Sequence, residues 1–451
     1  MQSNQLSRRR FLQLSGMGAA SAVLLAACQA PAAAPGAGPA AGGEAAPAAA
    51  KTEIRVAHAW DASFWPVQEE FDQKFNEKYP ELNVVGENTP WGEFRNKYMT
   101  QAAAGALPDI IYCQFAWAQQ FIQQGSLINI QPYIDAQADF NIDDFTKPSL
   151  VSYKKDGNLH LVPYDEGPLL LYWNVDMFDE AGVPHPTPEW TMDDLLEAAL
   201  KLTRGDGTEK VFGFDGLPAP DGAMNANYLY PWGAKFWNEP EENECHLDTP
   251  EAIEALQWWV DFRHKHHVTP TSAEWGSLEG GWNGFVAGKV AMFQQGTWYT
   301  PVLAKDAAFN WDLAHWPIGP KAHTTSSMGS GYGTTKDSKN PDASWTYLND
   351  YLSTDGQIFM WGSTGRGSPS RISAWDSYFA SPDAPPSARI VLEALTSYAV
   401  HDVLDTVNGP EITQKANETW DLVLLGEMEV APAVAKICQD LQPILAKNNP
   451  A

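Results

Sequence analysis

The stretch EIRVAHAWDASFWPVQEEFDQKFNEKYP, Glu53 to Pro80, reads as one strand followed by one amphipathic helix. Ile54 and Val56 alternate with Arg55 as in a half-buried strand. Val67, Phe71, Phe75 and Tyr79 then recur every four residues, one apolar face of a helix, and Pro80 stops it. The pattern repeats. Leu82 and Val84 alternate as a second strand, and Phe94, Tyr98, Met99 and Ala102 make a second helical face closed by Gly105 and Pro108. Asp109 to Tyr112 read as a short buried strand. Strand, helix, strand, helix, strand is the pattern of a parallel α/β sheet. Such sheets bind ligands beyond the carboxyl ends of their strands. That rule points to Ala59-Trp60-Asp61, Thr89-Pro90-Trp91 and Cys113-Gln114-Phe115-Ala116-Trp117, with Trp60, Gln114 and Trp117 as candidate ligand contacts.

Downstream, Leu159 to Gly167 lead into an apolar strand, Leu169 to Trp173. Thr191 caps a helix that starts at Met192-Asp193-Asp194. A further helix, Ala252 to His264, packs Ile253, Leu256, Trp259 and Val260 at 3–4 spacing. Phe285 to Phe293 pass from helix to strand through Gly288, and Gly296-Thr297-Trp298 come next.

Several pieces recur in a characteristic order and spacing: Tyr79-Pro80 with Val84, Gly105 with Pro108-Asp109, Gly125-Ser126-Leu127, Val162-Pro163, and Leu171-Tyr172-Trp173-Asn174 with Met177-Phe178 and Ala181-Gly182. Pro188-Glu189-Trp190-Thr191, Phe285 with Gly288-Lys289 and Ala291-Met292, and Lys339 to Trp345 complete the set. Together they resemble the extracellular solute-binding proteins of bacterial ABC importers, in particular their sugar-binding family. The resemblance implies a two-lobed periplasmic-binding-protein fold of type II, with a ligand cleft between α/β lobes joined by a hinge. It implies that residues 52–164 and 314–362 form the first lobe and residues 165–313 and 363–451 the second. The first crossing falls near Tyr164-Asp165-Glu166, a return near Trp311 to Trp316, and another beyond Trp361.

By the same resemblance Trp298 stacks on a sugar, and Glu166 beside Asp165 accepts hydrogen bonds from sugar hydroxyls. Trp232, Trp361 and Arg366 are further candidates, placed near expected strand ends with suitable chemistry. The run Gly329-Ser330-Gly331-Tyr332-Gly333 would border the cleft and let backbone approach the sugar.

The chain opens differently. Ser7-Arg8-Arg9-Arg10-Phe11-Leu12-Gln13 resembles a twin-arginine export signal, and the apolar run Leu14 to Ala27 is too short to span a bilayer. Leu25-Ala26-Ala27-Cys28 looks like a lipobox, with Cys28 receiving the lipid. Residues 1–27 therefore read as a signal and 28–51 as a tether. Gln29 to Ala50 holds 12 Ala, 4 Pro and 4 Gly and has no large apolar group to bury. As a flexible chain it would reach roughly 25 Å. The reading is a monomer anchored by lipid outside the cytoplasm, working with an ABC permease.

Bulk numbers narrow the partners. The formal charge is −27, and loss of the signal leaves about −30, a field that repels nucleic acid and anionic lipid. Cys113, Cys245 and Cys438 allow at most one disulfide, and their spacing does not say which. The 19 tryptophans suit sugar rings, whose C–H faces stack on indole, although most tryptophans serve the core.

No cofactor or metal is expected. His264-Lys265-His266-His267 lacks a completing ligand, and Gly284 to Lys289 misses the phosphate-loop spacing. A secreted glycoside hydrolase is the rival reading, as is a receptor for oligopeptides or polyamines. A hydrolase needs two carboxylates about 5–10 Å apart across one bond. Asp165 and Glu166 are adjacent in an extended segment and face opposite ways.

Overall fold

The computed structural model describes residues 50–447, apart from positions 61, 63, 221–223, 240, 279, 363, 365–366, 403–405 and 407. The signal, Cys28 and the tether up to residue 49 lie outside the described residues, as does Arg366.

The chain enters through β1 (Thr52–His58), β2 (Leu82–Asn88) and β3 (Ile110–Gln114), separated by the helices Trp65–Lys78 and Trp91–Ala104. β1 lies parallel between the other two, with Val56 opposite both Gly86 and Ile110. Phe71 and Phe75 on the first helix, and Phe94, Tyr98 and Ala102 on the second, are buried as their spacing requires. Gly105 ends the second helix at φ 63°, a left-handed cap that costs glycine nothing.

A hairpin, β4 (Lys154–Lys155) and β5 (Asn158–Leu159), precedes β6 (Val162–Pro168). β7 (Leu170–Asn174) then lies antiparallel between β8 (Met292–Gln295) and β9 (Trp311–Ala314) in a second, three-stranded sheet. Strand alternation buries β7 on both faces. Leu171 and Trp173 join a core with Trp259, Trp316 and the C-terminal helices. Leu170 and Tyr172 join another with Trp375, Tyr378 and Val391. A third core holds Ile54 to Tyr164 together with Tyr332 and Trp345 to Trp361.

β10 (Thr325–Thr334) ties these regions together. It pairs antiparallel with β6 on one edge and with β3 on the other, while Thr325 and Ser326 run beside β11 (Ala399–Val400). The return to the first core is made here and not near Trp311 to Trp316. Residues 311–314 are committed to β7 as β9, and Trp316 is fully buried in the core of the second sheet. A third passage runs beside β6, where the Glu166 backbone N–H donates to the Ser368 carbonyl at 3.1 Å. Arg371 anchors that passage. Its guanidinium donates to the carbonyls of Leu352 (2.6 Å) and Phe140 (2.9 Å), pairs with Asp144 and stacks 4.2 Å from the Phe145 ring.

The alternate glycines of β10 serve this pairing. A Cβ on Gly329, Gly331 or Gly333 would stand 2.4, 2.8 or 2.5 Å from a carbonyl oxygen of Asp165, Val162 or His160. They let two backbones close on each other, and only Gly329 of the three borders the cleft. Cys245 and Cys438 form a disulfide that fastens the helix Val430–Leu445, and Cys113 is a buried thiol.

Candidate functional site

A cleft of about 1480 Å³ opens at the carboxyl ends of β1 to β3. Trp60, Trp91, Gln114 and Trp117 line it from the strand ends and helix starts of the first sheet, and Trp282, Gln295 and Trp298 from β8 and the segments around it. Asp165, Met328, Gly329 and Ser330, from the β6–β10 pair, also line it. The helix Gly409–Leu424 contributes Thr413, Gln414, Asn417, Glu418 and Asp421.

Trp60 is held on both sides. Asn88 clamps its backbone N–H and carbonyl at 2.9 and 3.0 Å, and its indole N–H donates to Gln68 at 3.1 Å. Gln114 caps the helix Phe115–Gln123, its side chain accepting from the Ala116 N–H at 3.1 Å. Trp117 sits against Trp91, with ring centroids 5.4 Å apart. Its indole N–H is buried with no acceptor among the described residues, an orphan donor beside the cleft. Trp298 is half-buried and lies over Gly296, where any Cβ would meet its ring at 2.2 Å. Trp361 backs Trp60 edge-on at 5.8 Å and donates to the Tyr164 carbonyl.

Two candidates fall elsewhere. Trp232 is core: it packs against Trp258 and Trp259 at 5.1 and 6.0 Å, because a tight turn ending at Gly233 folds its ring inward. Glu166 lies on the face of β6 opposite Asp165 and is only 3% exposed, accepting from the Ser327 hydroxyl. Burial pushes its carboxyl up to about 8, so it is largely neutral at pH 7. Asp165 faces the cleft and accepts from the Ser330 N–H at 2.7 Å and from its hydroxyl. The alternation that kept these two carboxyls apart is therefore what removes Glu166 from the cleft.

The histidine run binds backbone. His264 contacts the Val423 carbonyl at 2.9 Å and His267 that of Arg263 at 3.1 Å.

The polar face of the helix Gly409–Leu424 was not anticipated. Thr413, Gln414, Asn417 and Asp421 recur at helical spacing beside the buried Ala416, Trp420 and Val423, which is a legible stripe. Trp91 and Trp282, 55% and 40% exposed, are indoles left open to water at the rim.

The model of the bacterial extracellular solute-binding protein family matches residues 62–358 of this chain. The chain belongs to that family. This solute-binding protein is 26% identical to a binding protein of Brucella abortus over 309 residues, 66% of this chain and 72% of that one. It is 24% identical to the lactose-binding protein of Rhizobium radiobacter over 321 residues, 68% and 72% of the two chains. The ABC substrate-binding protein Lmo0181 of Listeria monocytogenes, solved in complex with cycloalternan, superposes with a TM-score of 0.78. That match has 24% identity and covers 88% of this chain and 100% of the other. The solute-binding protein thus has the two-lobed fold of the periplasmic receptors, and its family works outside the cytoplasm.

Proposed function

We propose that this solute-binding protein captures an oligosaccharide between its lobes and hands it to the permease of an ABC importer. The carrying observation is the width and lining of the cleft. At about 1480 Å³ it exceeds a small-molecule site of about 300–1,000 Å³, and tryptophans face it from both sides. Indole faces stack on the apolar C–H faces of sugar rings, while Gln114, Asp165, Gln295, Thr413 and Asn417 offer partners for hydroxyls. The relatives agree in kind: one is a lactose-binding protein, another an arabinooligosaccharide-binding protein of Halalkalibacterium halodurans.

Trp60, Gln114, Trp117, Asp165, Trp298 and Trp361 make up the proposed contact set, with Trp91 and Trp282 added at the rim. The lobes, 52–164 with the return from β10 and 165–313 with the C-terminal segment, close by rotation about the three crossing segments. Export by the twin-arginine route, a lipid on Cys28, and a monomeric state complete the proposal.

A panel of mono- and oligosaccharides, read by thermal shift, tests the reading. A true ligand raises the melting temperature by mass action on the bound form. The sugar should be recovered uncleaved; cleavage would favour the hydrolase reading, and silence across the panel would overturn a saccharide ligand.

A further inference from the structure

We propose that a second, separate site on the first lobe takes a small organic cation, a primary ammonium or guanidinium group. A pocket of about 450 Å³ lies between the helix Trp65–Lys78 and β2, and none of its lining residues borders the cleft. Glu69, Asp72 and Glu77 line it, and of its lining residues Lys51 is the one base and Trp65 the one aromatic.

Asp72 carries the argument. The residue is 7% exposed, and its Oδ1 accepts from the Tyr347 hydroxyl at 2.8 Å and the Gln68 amide at 2.9 Å. Gln68 is itself fixed by the Trp60 indole and the Tyr351 hydroxyl, so the carboxylate is rigidly aimed. Its Oδ2 has no hydrogen-bond donor among the described residues. That oxygen sits over Gly86, where a Cβ would stand 2.9 Å from it and 2.9 Å from the edge of the Trp65 ring. The glycine thus brings an open carboxylate oxygen and an indole together at the pocket wall.

Burial lifts the Asp72 carboxyl to about 6, so at neutral pH it is mostly an anion, and it makes no ion pair among the described residues. A bound cation would supply one. Calcium or magnesium would demand about six oxygen ligands, and among the described residues no group of three acids, histidines or cysteines is placed to hold a metal. An organic cation needs less: one carboxylate for its N–H groups and an apolar wall, here the edge of the Trp65 ring, for its alkyl part.

The full-length protein is titrated with methylguanidinium chloride or ethylammonium chloride at ionic strength held constant with sodium chloride. Calorimetry and thermal melting should show saturable binding and a raised melting temperature. Asp72→Asn keeps Oδ1 as an acceptor and should weaken binding about tenfold or more. Trp65→Leu, which leaves the carboxylate in place but removes the ring that walls the pocket, should weaken it several-fold. A response no larger than that to sodium chloride would overturn the proposal, as would binding unchanged in Asp72→Asn. Binding lost in Trp298→Ala but kept in Asp72→Asn would put the cation in the cleft, and would equally overturn it.

Discussion

On one wall of the cleft, Trp60, Gln114 and Trp117 stand at or just past the ends of β1 and β3, with Trp60 and Gln114 fastened by β2 and the adjoining helices. The facing wall joins the turn after β8 to a helix far along the chain, Gly409–Leu424, which packs on a partner helix stapled by Cys245–Cys438. The first wall is local and aromatic. The second is assembled from distant segments and offers more amides and hydroxyls. Affinity by stacking therefore falls on both sides, whereas the shape of the second wall depends on contacts that only the finished fold makes.

The largest expected effect separates two tryptophans of that second region. Trp232→Ala should cost about 3–5 kcal/mol of folding stability, as a buried aromatic does, with sugar affinity kept in the folded fraction. Chemical denaturation measures it, and an unchanged midpoint would move Trp232 out of the core. Trp298→Ala should do the reverse: about 2–4 kcal/mol of ligand affinity lost, with little change in the melting of the empty protein. Calorimetric titration with a sugar found by the screen decides it.

The disulfide sharpens the contrast between the walls. Cys245→Ala with Cys438→Ala should destabilise by about 2–5 kcal/mol, since the bridge closes a long loop. Hydrogen exchange should rise first in the helices Gly409–Leu424 and Val430–Leu445 and leave β1 to β3 protected. Faster exchange in β1 to β3 alone would contradict the division.

A smaller effect tests β6 from its buried side. Between the ordinary carboxyl range and about 8, folded Glu166 holds a proton that the unfolded chain has released. Its contribution to stability is thus fully present below about 4.5 and declines as pH rises to about 8. Glu166→Gln, permanently neutral, should match the native protein near pH 4.5 and exceed it increasingly toward pH 8. At about 1.4 kcal/mol per pH unit the gap amounts to a few kcal/mol at most. A difference in melting temperature that stays flat across that range would show Glu166 ionised in the fold. Smallest is Asn417→Ala, a single hydroxyl partner at the edge of the second wall, worth about 0.5–1.5 kcal/mol of affinity.

The parallel βαβαβ opening was legible in the residues alone, because 3.6- and 2-residue periods are written into neighbouring side chains and need no distant partner. Trp60, Gln114 and Trp117 could be located for the same reason, as residues next to strand ends. The opposite faces of Asp165 and Glu166 were legible too, though assigning Glu166 to the ligand ignored which face the cleft takes. The remainder was settled by tertiary packing. Nothing local tells Trp232, which is core, from Trp298, which faces the cleft, since each sits in a one-turn helix beside a proline or a glycine. The return through β10, the polar face of Gly409–Leu424 and the pairing of Cys245 with Cys438 are all set by contacts across much of the chain. Such contacts are fixed by packing the whole core, and no short window of residues records them.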